Sequence, residues 1–127
     1  MTLVKTNITK IEVPKLDFKN RKIQCKIYTD TNSPLEKTFT MTNSEEMTKQ
    51  IINDVKESIR LNTIPDEDSI FSSSTGVYIL NSDDSIKKIT HFISGLIEKT
   101  NKLRMSTDAY DYMKLFNEVN DIHVLKL

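Results

Sequence analysis

The sequence predicts an α+β domain. Three N-terminal strands and a short strand near residues 77–80 form a small antiparallel or mixed sheet, and three helices pack on one of its faces. Two observations and their order predict it. Apolar residues alternate with polar ones between residues 9 and 42, as on half-buried strands. Apolar residues then recur every three or four positions in three later segments, as on amphipathic helices. The resulting order is β-β-β-α-β-α-α, with an apolar C-terminal segment able to act as a further strand. At 127 residues this is the size of one domain with one core, residues 1–127.

In the first strand Ile11 and Val13, then Leu16 and Phe18, alternate with polar residues on either side of Pro14. A proline cannot donate to a ladder, so Pro14 marks an edge strand or a bulge. Lys19-Asn20 fits a tight turn, because Asn tolerates positive φ. The second strand is the clearest: Ile23, Cys25 and Ile27 face one way, and Lys22, Gln24, Lys26 and Tyr28 the other. A turn cluster, Asp30 to Pro34, separates it from a third strand carrying Leu35, Phe39 and Met41.

The first helix spans residues 43–62. Two overlapping capping boxes precede it, Thr42 with Glu45 and Asn43 with Glu46. Met47, Ile51, Ile52, Val55 and Ile59 form its apolar stripe, Glu45 and Lys49 an i,i+4 pair on its wet side, and it ends before Pro65. After a loop containing Asp66-Glu67-Asp68 and Ser72-Ser73-Ser74, four consecutive apolar residues, Val77 to Leu80, read as a strand covered on both faces. Ser82-Asp83-Asp84 starts the second helix, whose broad stripe includes Ile86, Ile89, Phe92, Ile93, Leu96, Ile97 and Leu103. Gly95 falls opposite that stripe, where it costs about 1 kcal/mol relative to Ala unless another backbone approaches. Ser106 or Thr107 caps a third helix, 107–121, buried through Ala109, Tyr112, Met113, Leu115, Phe116 and Val119. Ile122 to Leu127 either completes the chain's own sheet or adds to a partner's.

Composition weighs against most catalytic readings. Only two glycines are present, Gly76 and Gly95, and neither belongs to a phosphate loop, a dinucleotide fingerprint or a nucleophile elbow. Part of that scarcity is codon bias: 15 Ile, 15 Lys and 10 Asn mark an AT-rich genome. No run is long enough to span a bilayer. The lone cysteine excludes an internal disulfide, which places the chain in a reducing cytoplasm or in a particle assembled there.

Cys25 alternates with Ile23 and Ile27, so it reads as a small core hydrophobe rather than a nucleophile for His91 or His123. These three residues cannot close a zinc site of N and S ligands. Asp66-Glu67-Asp68 and the Asp108/Asp111 pair read as solvated loop and helix-start acids, and Ser72 to Ser74 as loop. No catalytic residue, cofactor or metal is expected.

Net charge is zero, but seven bases and two acids fall in residues 1–26. The expected molecule is a dipole with a basic sheet and acidic helices, a distribution that steers encounter with a partner. The sequence therefore points to a non-enzymatic protein that binds another protein or its own copies: an assembly factor, a structural subunit or an inhibitor, in keeping with a bacterial virus or mobile element. Lys22, Lys26 and Tyr28 on the sheet, His91 and Gly95 on the second helix, and Val124 and Leu125 in the tail are the expected contacts. The alternative is a nucleic-acid-binding module using Lys15, Lys19, Arg21, Lys22, Lys26 and Tyr28, since bases beside an aromatic on a sheet serve phosphate contact and base stacking.

Overall fold

The computed structural model describes residues 3–63 and 76–127. Among these residues nine elements follow one another: β1 (Leu3–Thr6), β2 (Ile8–Asp17), β3 (Lys22–Thr29), β4 (Leu35–Thr40), α1 (Ser44–Asn62), β5 (Gly76–Ile79), α2 (Asp83–Met105), α3 (Ala109–Asn120) and β6 (His123–Lys126). The fold is α+β. A four-stranded antiparallel sheet has the order β4-β3-β2-β6, and β1 and β5 form a separate two-stranded parallel sheet.

Apolar phase explains the main sheet. Ile8, Ile11, Val13 and Leu16 of β2 are all buried, yet their spacing is not a strict alternation. Two register shifts reconcile them. Glu12 pairs with Lys26 and Lys15 with Gln24, so Val13 and Pro14 together oppose Cys25 in a β-bulge. Pro14 therefore sits in an inner strand, at a bulge rather than at an edge. The bulge lets Leu16 return to the core side, opposite Ile23. The connection to β3 is held by Asp17, whose carboxylate accepts from the Asn20 N–H (3.1 Å) and Nδ2 (2.9 Å). The left-handed residue of this turn is Arg21, φ 55°, and not Asn20.

The helices cover the apolar face of this sheet, and their buried residues join Ile23, Ile27 and Phe39 in one core. Asn43 is the N-cap of α1, its side chain accepting from the Glu46 N–H at 2.8 Å, so the second of the two capping boxes prevails. Met47, Ile51, Val55 and Ile59 are buried at helical spacing. Lys49 pairs with Glu46 (3.7 Å) in place of Glu45. Ser82 caps α2, and Ile89, Ile93, Leu96, Thr100 and Leu103 are its buried residues. The Thr48 and Thr90 hydroxyls meet at 2.9 Å between α1 and α2.

Four expectations are corrected. Asp108, rather than Ser106 or Thr107, caps α3, accepting from the N–H groups of Tyr110 and Asp111. Ala109 and Met113 are exposed, because Ala109 is the first residue of the helix and Met113 lies off the stripe Tyr112–Leu115–Phe116–Val119; Val119 is fully buried, with Tyr112, Leu115 and Phe116 partly so. The β5 strand is covered on one side only: Tyr78 is 56% exposed, since β5 pairs with β1 outside the main sheet and packs on α1. Finally, the helices are not acidic. Acids and bases are equal in number across α1, α2 and α3, and the excess acids fall in turns, caps and residues 64–75.

The C-terminal segment completes the chain's own sheet. His123 to Lys126 pair antiparallel with Val13 to Lys10 of β2, which leaves β6 as one edge and β4 as the other. The acidic triplet Asp66-Glu67-Asp68 and the serines 72–74 lie outside the described residues.

Candidate functional site

Among the described residues, no helix lies on the other face of the four-stranded sheet. Strand register arranges its side chains in rows. One row runs Val124–Glu12–Lys26–Glu36, and the next runs Lys126–Lys10–Tyr28. Beyond the bulge lie Lys15–Gln24–Thr38 and Asp17–Lys22–Thr40. All of these are exposed or half-buried.

Tyr28 is the fixed point of this surface. Lys10 Nζ lies 4.2 Å from the ring centroid and Lys26 Nζ 5.5 Å. The phenol hydroxyl donates to Glu12 Oε2 at 3.2 Å, and Lys10 also bridges to Glu12 at 3.0 Å. Hydrogen bonding from Lys10, then from Tyr28, holds the Glu12 carboxyl below the usual carboxylate range. The Lys26 ammonium is raised, chiefly by its bond to Tyr28. A ring braced in this way loses little side-chain entropy when a partner packs against it. Lys26 is further engaged by Glu36 at 3.7 Å. Among the described residues Lys15, Lys22 and Lys126 make no salt bridge, so their charge is available to a partner.

The structure brings Lys22, Lys26, Tyr28 and Val124 together on this face, with Lys15 beside them. Lys19 and Arg21 stand at its end, in the turn after β2. It separates them from the remaining expected contacts. Leu125 points to the core side, in the row with Ile11, Ile27 and Leu35. His91 is exposed on α2, a turn away from Gly95, where an added Cβ would meet nothing within 4 Å. Neither lines the open groove of about 810 Å³ between α2 and α3, which mixes Ile97, Met105 and Leu115 with Glu98, Lys102 and Lys114.

Sequence reasoning missed Lys10 and Glu12 as members of this surface. Their signal was present: both lie on the polar phase of β2, and only the pairing with β3 reveals that they flank Tyr28. The thiol of Cys25 is buried, and burial pushes it up to about 12, so the neutral SH is the resting form. Among the described residues no three His, Cys, Asp or Glu side chains gather where they could share a metal ion, and no helix is long and apolar enough to cross a membrane.

No family model, curated protein or solved structure matches this chain.

Proposed function

We propose that this chain is a non-enzymatic binding protein that docks another protein through the open face of its sheet. One observation carries the reading: a sheet face left uncovered by the described helices bears a braced tyrosine and, on the same face, Lys15, Lys22 and Lys126, which make no salt bridge among the described residues. The complementary surface is acidic. Lys15 and Lys22 steer its approach, and Tyr28 supplies the anchor on contact. The role suits an assembly factor, subunit or inhibitor acting in a reducing cytoplasm or in a particle formed there, where the free thiol of Cys25 persists. The AT-rich composition suits a bacterial virus or mobile element as the source.

Nucleic acid is the second reading, favoured by the five lysines on this face (Lys10, Lys15, Lys22, Lys26 and Lys126). It is weaker because, among the described residues, Tyr28 is the one aromatic side chain of the face, and Lys10 covers part of its ring. Stacking of successive bases requires open aromatic faces.

The test pairs wild type with the Lys15→Glu/Lys22→Glu double variant as bait in cells of the source. The proposal requires a protein that wild type retains after nuclease treatment and that the equally folded variant loses. A partner held equally by both baits would place the contact elsewhere. Binding of labelled oligothymidylate that falls steeply with salt, and is lost in the double variant, would replace the protein reading with the nucleic-acid one.

A further inference from the structure

We propose that two copies of this chain associate through the outer edge of β6, antiparallel about a twofold axis at Val124, so that the two main sheets become one. This goes beyond the docking face: it uses the outward backbone edge of β6, although the side chains of Val124 and Lys126 also border that face.

The argument begins with backbone direction. The Leu127 N–H donates to the Thr9 carbonyl at 2.9 Å. By the two-residue period of a strand, the N–H and C=O groups of Leu125 and His123 also face β2. Those of Val124 and Lys126 face away from the sheet, and Ile122 continues the same phase. Among the described residues these groups have no backbone partner, as on an edge strand, and strand addition satisfies them.

The two edges of the sheet are not alike. On β4, Lys37 points to the helix side and pairs with Asp54 of α1 at 2.8 Å, while Pro34 precedes the strand. An inward-pointing charge of this kind guards an edge against pairing. Among the described residues the inward phase of β6 holds His123 and Leu125 and no Lys, Arg, Asp or Glu. Its outward phase holds Ile122, 68% exposed, and Val124, 45% exposed, with Lys126 as the one charge.

A second copy fits that phase. With Val124 opposite Val124 of the second copy, Lys126 lies opposite Ile122 of that copy, so the two like charges never meet. Pairs centred on outward-facing residues are the hydrogen-bonded kind, and this register forms about six backbone bonds. Side-chain parity is kept: the open faces of both sheets remain on one side and the helices on the other. The contact is small, so Kd is expected on the order of 10–100 µM.

The experiment is sedimentation equilibrium of the full chain over a concentration series. The expected mass rises from 14.7 kDa toward twice that value. The discriminating variant is Val124→Pro. It removes an N–H that faces outward and leaves the β2–β6 ladder intact, so it should weaken association at least tenfold while the circular dichroism spectrum is unchanged. Val124→Lys is the second variant, placing like charges on the axis, with the same expected loss. A mass that stays at 14.7 kDa up to about 500 µM overturns the proposal, and so does a dimer that survives both variants. Neither result bears on capture of a partner through Lys15 and Lys22.

Discussion

The side chain of Asn81 takes both backbone hydrogen-bonding groups of Ile8. Its Oδ1 accepts the Ile8 N–H at 2.7 Å, and its Nδ2 donates to the Ile8 carbonyl at 2.9 Å. Just before it, the Leu80 N–H donates to the Thr6 carbonyl at 2.7 Å. An amide side chain thus extends the β1–β5 ladder by one step and ties the start of α2 to the start of β2.

Ile8 is buried, so truncating that amide leaves a donor and an acceptor without partners. Asn81→Ala is expected to cost about 2–4 kcal/mol, from two unsatisfied buried groups at 1–3 kcal/mol each with partial relief by water. Urea denaturation checks it. A loss under 0.5 kcal/mol would mean that water replaces the amide freely.

Gly95→Ala is expected to stabilise the isolated chain by up to about 1 kcal/mol. The residue lies inside α2, and a Cβ there meets nothing within 4 Å. The thermal midpoint reports it. A more stable variant that also binds a captured partner less well would reveal a second contact on α2.

Arg21 holds φ 55° without being glycine. Arg21→Gly is therefore expected to be neutral to stabilising by about 1 kcal/mol, the relief of the left-handed penalty less the added chain entropy. Arg21→Val should destabilise, because a β-branched residue fits that region poorly. Equal stabilities of the two variants would argue against the assigned turn.

Cys25 is expected to resist a disulfide-exchange reagent at pH 8 in the folded chain and to react quickly in urea. Its folded pKa, about 12, lies above that of a free thiol. The linkage sign follows: the stabilising contribution is whole below about pH 8.5 and declines above it, as the unfolded chain ionises first. Rapid labelling without denaturant would contradict this burial.

Asp30 predicts the acid limb. Its carboxylate accepts from the Asn7 N–H (3.0 Å), Asn7 Nδ2 (3.2 Å) and Thr6 Oγ1 (2.9 Å), and the Asn7 backbone bond is the first cause of its lowered pKa. A depressed folded pKa stabilises above the unfolded value, near 3.9, and that stability is lost as pH falls through the folded value. The urea midpoint should hold from pH 7 to about 4.5 and then drop. Asp30→Asn should start lower at pH 7 and lose less on acidification. An unchanged acid limb in Asp30→Asn would assign the loss to other carboxylates.

Much of this architecture can be read from residue spacing. The stripes Met47–Ile51–Val55–Ile59 and Ile89–Ile93–Leu96 fall at helical period, and Ile23–Cys25–Ile27 at strand period, because one buried face imposes its repeat on the chain. Even the bulges leave a trace, since Ile8, Ile11, Val13 and Leu16 change phase where they occur. Less of the candidate surface was legible. Lys22, Lys26 and Tyr28 share a strand, so their common face follows from alternation, whereas Lys10 and Glu12 reach Tyr28 through pairing alone.

What the sequence determined by itself is local: where period two yields to period 3.6, and the main apolar stripes that must leave water. Tertiary structure decided the rest. It set β5 outside the main sheet, against Leu3–Thr6, and brought His123–Lys126 back to β2. The reason is physical. Periodicity records only that a face is buried, while the identity of the neighbour that buries it depends on contacts between segments some seventy to over a hundred residues apart, such as Leu3 with Gly76 and Lys10 with Lys126.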